Sequence, residues 1–116
     1  ALASARKGSG NFSVVVRGRT AHAGRDFAAG RNAVAAAAEI AGRLHALNGR
    51  RDGVTVNVAR IDGGGPNNVV PDTAVVRFNV RLPTAEDARW IEGTIEGCLA
   101  VGEGLSAHLH GGFTRP

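Results

Sequence analysis

Apolar and polar residues recur along this chain in short blocks, and their spacing predicts the element each block forms. Residues 12–17 put Phe12, Val14 and Val16 on one face of a β-strand. From Gly18 to Arg31 the chain becomes a polar, glycine-punctuated loop of more than a dozen residues. Asn32 then suits the N-cap of a helix running to about Leu47, with Ala33, Ala36, Ala37, Ile40, Leu44 and Leu47 on its apolar stripe. Asn48-Gly49 closes it, as a helix C-terminus favours. Residues 54–61 alternate, with Val54, Val56 and Val58 inward and Thr55, Asn57 and Ala59 outward. A turn-rich stretch at 62–68 leads to a strand at 74–81, whose inward face is Val76, Phe78 and Val80. Thr84 and Asp87 form a helix-start signal, and Ala88, Ile91, Ile95, Cys98 and Leu99 follow on one stripe. The last strand is expected at 105–110.

The order is β-α-β-β-α-β, without repeats or linkers. Each strand has one apolar face, so two helices cover one side of a four-stranded antiparallel sheet and leave the other side open. This predicts an α+β, ferredoxin-like fold. The open face collects Ser13, Val15, Arg17, Thr55, Asn57, Arg77, Asn79, Arg81, His108 and His110, a polar and basic surface.

Composition changes this picture little. A chain of 116 residues with 43% apolar residues forms one globular domain, and no apolar run reaches the length of a membrane span. The net charge of +4 comes almost wholly from arginine, with Lys7 the only lysine. Arginine suits planar recognition of carboxylate or phosphate, so small anions and nucleic acid are the first partners to weigh. A single cysteine, Cys98, excludes an intrachain disulfide and leaves the compartment open. The absence of methionine is read as the mark of a piece of something longer.

Candidate chemistry is sparse. His22 lies inside the long loop, flanked by small residues, where an imidazole is accessible to donate to an anion; an ordinary surface histidine is the alternative. Gly63-Gly64-Gly65 lacks the Lys and Ser/Thr of a phosphate loop and precedes a strand, so it reads as a turn. Asn68, held before Val69-Val70-Pro71, is either a turn former or a ligand-facing amide. His108 and His110 share a face, but two ligands do not close a zinc site. His45 suits a helix C-terminus, Cys98 the core, and Trp90 either a rim or an interface. No complete catalytic constellation emerges; the chain reads as half of a site.

Five segments in one order carry a resemblance: Arg6-Lys7-Gly8-Ser9-Gly10-Asn11-Phe12, Gly18-Arg19-Thr20-Ala21-His22-Ala23-Gly24, Gly30-Arg31-Asn32-Ala33, Asn68-Val69-Val70-Pro71-Asp72 and Asn79-Val80-Arg81. Over roughly Arg6 to Gly111 the chain resembles the lid, or dimerisation, domain of zinc-dependent exopeptidases related to aminoacylase, most closely the glutamate carboxypeptidases. The resemblance implies a larger dizinc hydrolase whose two zinc ions and glutamate base sit in a catalytic domain outside residues 1–116, leaving this segment inactive alone. It implies that His22 reaches the partner subunit's site and polarises the scissile carbonyl, while Asn68 and Arg81 hold the substrate carboxylate. It further implies a homodimer formed through the outer strand 54–61 and the first helix, acting on a peptide or N-acyl amino acid. Asn79 departs from the acidic residue that many relatives carry.

Two other classes compete. A ferredoxin-like fold with a basic sheet face is also an RNA-binding arrangement, but Ser13, Val15, Arg77 and Asn79 occupy the positions where stacking aromatics would stand. No nucleic-acid or membrane partner is therefore expected. A small-ligand-sensing regulatory module that dimerises through strands is the other alternative. Within the family, N-carbamoyl and N-acyl amino acid hydrolases stay open beside carboxypeptidases.

Overall fold

The computed structural model describes residues 8–114; Arg6 and Lys7, which open the first resembling segment, lie outside them. The elements are β1 (Gly8–Arg17), β2 (Ala21–His22), α1 (Ala33–His45), β3 (Thr55–Gly63), β4 (Val69–Val70), β5 (Thr73–Leu82), α2 (Ala85–Gly97) and β6 (Ser106–Thr114). The four long strands form one antiparallel sheet in the order β3-β5-β1-β6, the ferredoxin-like plan, with β3 and β6 at its edges. Both helices pack on one face. Phe12, Val14 and Val16 of β1, Val76, Phe78 and Val80 of β5, Ile40 and Leu44 of α1 and Ile91 and Ile95 of α2 form the centre of the core. Cross-strand partners Phe12 and Phe78 stack with ring centroids 5.2 Å apart.

Where the structure departs from the expected bounds, packing overrides local pattern. β1 begins at Gly8 and β6 runs on to Thr114 because their glycine-rich ends pair with each other. A methyl on Gly10 would stand 2.9 Å from the rings of both Phe12 and Phe113, so the glycine makes room for Phe113. α1 stops at His45, although Leu47 beyond it is still buried. Trp90 is half-buried on the rim of the core. The alternation in β3 breaks between Val58 and Arg60: Val58 pairs with Phe78 and Arg60 with Arg77, leaving Ala59 as the extra residue of a bulge. Ile61 therefore joins the helix side opposite Val76, while Arg60 and Asp62 join the open face. The like-charged Arg60 and Arg77 stand directly opposite each other, and Asp62 binds both, at 2.9 Å and 3.5 Å. The Arg60 hydrogen bond, with help from Arg77, holds the Asp62 carboxyl below its usual range.

α2 is fixed at its start by a reciprocal cap, in which the Thr84 hydroxyl accepts from the Asp87 N–H and the Asp87 carboxylate accepts from the Thr84 N–H. The buried Asp87 carboxylate also meets Arg51 Nε at 2.6 Å, and that guanidinium lies 5.3 Å above the Trp90 ring. The Thr84 hydrogen bond is the larger reason, and the Arg51 charge a further one, that the Asp87 pKa is lowered against the opposing effect of burial. A lowered folded-state pKa means the stabilisation is present above the unfolded-state value near 3.9 and is lost as pH falls through the folded value. Asp87→Ala is expected to cost about 1–2 kcal/mol at neutral pH, as a lost cap does. The deficit should shrink in acid. Urea melts at both pH values check this, and an unchanged midpoint at pH 7 would refute it.

Candidate functional site

His22 is held by a feature that the sequence does not signal. The long loop folds back as β2, which pairs antiparallel with β4: Ala21 opposite Val70 and His22 opposite Val69. Arg19 and Arg31 bridge the base of the loop, and the Gly18 N–H donates to the Asp72 carbonyl at 2.8 Å. A methyl at Gly18 would overlap the Arg31 carbonyl, so only glycine lets these segments meet. The Arg31 guanidinium donates to the carbonyls of Ala28, Gly30 and Glu103, tying the loop to the far side of the domain. It is a brace.

The imidazole is exposed and oriented from one side. Its Nδ1 accepts from the Gly24 and Arg25 backbone N–H groups at 3.0 and 3.2 Å. An Nδ1 that accepts is unprotonated, so the neutral ring carries its proton on Nε2. Gly24 contributes by omission, because a methyl there would come within 3.3 Å of His22 Cε1. The backbone thereby sets the tautomer that leaves Nε2 as a donor.

Asn68 lies beside this histidine. Its carbonyl accepts from the Ala23 N–H at 2.9 Å, which extends the β2–β4 pairing, and the residue is exposed. Val69, also exposed, completes the end of the mini-sheet.

Arg81 does not join them. It sits near the end of β5, in a cross-strand row with Ser9 and Thr55, whereas β2 and β4 flank the opposite end, before Thr73. Eight residues at ~3.3 Å per residue separate Arg81 from Thr73 by roughly 26 Å along the strand. The guanidinium is exposed beside an open concavity of about 500 Å³ that includes Ser9, Gly53 and Pro83. Unlike Arg60 and Arg77 on the same face, Arg81 makes no ion pair among the described residues. Asn79 is part of a row of asparagines: Asn79 Nδ2 donates to Asn11 Oδ1 at 2.9 Å, and Asn57 is its partner on β3.

His108 and His110 stand on the open face of β6, opposite Val15 and Ser13. Among the described residues no three His, Cys, Asp or Glu side chains come together as a metal site, and no helix is long and apolar enough to cross a membrane.

With this geometry in place, similarity to known proteins becomes informative. The sequence profile of the peptidase dimerisation domain matches residues 4–103. The chain is 34% identical over 109 residues to the indole-3-acetyl-aspartic acid hydrolase of Enterobacter agglomerans, covering 89% of this chain and 25% of that protein. It is 34% identical over 103 residues to a probable carboxypeptidase of Aspergillus flavus, covering 77% of this chain and 24% of that protein. The crystal structure of the aminobenzoyl-glutamate utilization protein of Klebsiella pneumoniae superposes with a TM-score of 0.74 at 28% identity, covering 95% of this chain and 28% of that one. The chain thus spans about a quarter of the length of the curated relatives it matches.

Proposed function

This chain belongs to the peptidase dimerisation domain family of the M20 peptidases, and from that premise we propose that it is the dimerisation and substrate-capping part of a hydrolase that cleaves an amide beside a free carboxylate, with a C-terminal glutamate-like residue as the leaving group. The observation that carries the reading is the fixed tautomer of His22: with Nδ1 committed to two backbone N–H groups, Nε2–H faces outward to donate to a developing oxyanion. Asn68 stands beside it to add its amide. The names of two relatives pair an aromatic acyl group with aspartate or glutamate, which supports an N-acyl acidic amino acid as the substrate class.

The separation within one chain shapes the proposal. A single amino acid does not span roughly 26 Å of strand, so Arg81 and the His22–Asn68 pair serve one substrate only if they come from two copies. In a homodimer, one protomer supplies Arg81 for the α-carboxylate and its partner supplies His22 for the scissile carbonyl; Asn68, beside His22 and away from Arg81, is proposed to join the carbonyl end rather than the carboxylate that the resemblance gives it. The two zinc ions that the resemblance implies find no ligand set among the described residues. In this proposal the ligands of those ions belong to the catalytic domain that this segment caps.

The test is Arg81→Lys in the full-length enzyme. An ammonium does not reproduce the planar fork that a carboxylate accepts, so KM is expected to rise about 10- to 100-fold, the equivalent of losing a charge-assisted hydrogen bond. Substrates with the α-carboxylate capped as an amide should be turned over equally by both enzymes. A proportional loss on the two substrate types would give Arg81 a structural role and remove the carboxylate-binding reading.

A further inference from the structure

The dimer interface proposed above rests on a free edge strand, and the structure shows that this edge is not free along its whole length. Asn48, just past α1, folds its side chain against β3: Nδ2 donates to the Val56 carbonyl at 2.7 Å, and Oδ1 accepts from the Val56 N–H at 2.8 Å. The amide imitates a neighbouring strand at one residue. Nδ2 also donates to the His45 carbonyl at 3.0 Å, which anchors the plug to the end of the helix.

These bonds also reveal which backbone groups of β3 point outward. Since Val56 turns its N–H and C=O away from β5, Thr55 and Asn57 turn theirs toward it, and Val58 again faces out. The bulge at Ala59 adds one residue, so Arg60 and Asp62 face β5 opposite Arg77 and Val75, and Ile61 faces out. Between the Asn48 plug and the glycine-rich turn, Val58 and Ile61 offer the open ladder positions.

We propose that Asn48 sets the register of a β3-to-β3 pairing between two copies of this chain, with Val58 of one copy opposite Ile61 of the other and the two-fold axis between Ala59 and Arg60. The inference rests on the dimerisation reading above and deepens it. Pairing Val58 with Val58 would slide the mate strand alongside Val56, into the space that the Asn48 amide occupies. Pairing Val58 with Ile61 brings only the mate's Gly63, the last residue of β3, opposite Val56, so each strand ends where the other's plug begins. α1 agrees with this independently. Arg43 reaches across to the Cys98 and Ala100 carbonyls beyond α2, so the opposite flank of α1, carrying Val34, Ala38, Ala41 and His45, turns toward the β3 edge. Val34 lies near Gly64, just past the end of β3, and Asn48 lies beside Val56 near its start. Ala38 and Ala41 thus sit level with the proposed axis, where two helices must approach most closely and small side chains permit it. Ile61, 44% exposed on the same side, gains cover from the mate.

Disulfide trapping in the purified chain tests the register, in a Cys98→Ala background so that the introduced thiols are the only ones. Opposed residues of a hydrogen-bonded antiparallel pair have Cα atoms about 5.5 Å apart, within disulfide reach, whereas Val58 and Ile61 of one strand lie ~10 Å apart. The double variant Val58→Cys/Ile61→Cys should form covalent dimer on mild oxidation, about ten-fold or more above either single variant. A dimer trapped by Val58→Cys alone would overturn the register while leaving the interface in place. A chain that sediments as a monomer at high concentration would overturn the inference together with the dimerisation reading beneath it.

Discussion

A full-length enzyme carrying His22→Ala is expected to lose about 10²- to 10³-fold in kcat, the usual effect of removing one oxyanion donor, while remaining folded and dimeric. The side chain is exposed and, among the described residues, its ring is held only through Gly24 and Arg25, so removing it costs the core nothing. The decisive measurement is complementation. A second variant keeps His22 but has a disabled catalytic domain, and the two inactive proteins are allowed to exchange subunits. With random pairing of equal amounts, about half of the dimers are mixed, and one of their two sites unites a working catalytic domain with the partner's His22. Activity should return to roughly a quarter of normal. Adding Arg81→Ala to the chain that already lacks His22 should lower that recovery, because Arg81 serves its own catalytic domain. Placed on the other chain, the same substitution should leave the recovery intact. No recovery despite verified exchange would show that His22 serves its own subunit.

Val58→Pro is expected to give a folded monomer, and in the full-length enzyme to abolish activity as deeply as His22→Ala. Proline removes the N–H that faces the mate strand and spares the bonds from β3 to β5, as edge positions tolerate. Each active site then lacks the partner's His22 and Asn68. Val56→Pro is the informative contrast. The Val56 N–H is already used by Asn48 Oδ1, so proline there breaks an internal contact and should lower thermal stability. Sedimentation, melting temperature and activity separate the two variants. A Val58→Pro enzyme that is monomeric yet fully active would end the two-copy site.

The period of two in the strands and of 3.6 in the helices was enough to specify the β-α-β-β-α-β order, the apolar faces and the caps at Asn32 and Thr84, since burial and end-capping act on residues close in sequence. The ordered segments around His22, Asn68 and Arg81 were equally legible as motifs, and they carried the family. The rest depended on what lies across a contact. A two-residue strand such as β2 or β4 has no period to read, and exists because Ala21 and His22 meet Val70 and Val69. Glycines at 10, 111 and 112 fall outside the strands that the apolar pattern marks, yet they are strand because β1 and β6 pair and Phe113 needs the space above Gly10. The bulge at Ala59 reverses which residues face outward, and a single inserted residue leaves no compositional trace. The tautomer of His22, the plug at Asn48 and the distance between Arg81 and the histidine arise the same way. Hydrogen bonds from side chain to backbone and the length of a paired strand are set by three-dimensional neighbours, so only the tertiary structure decided them.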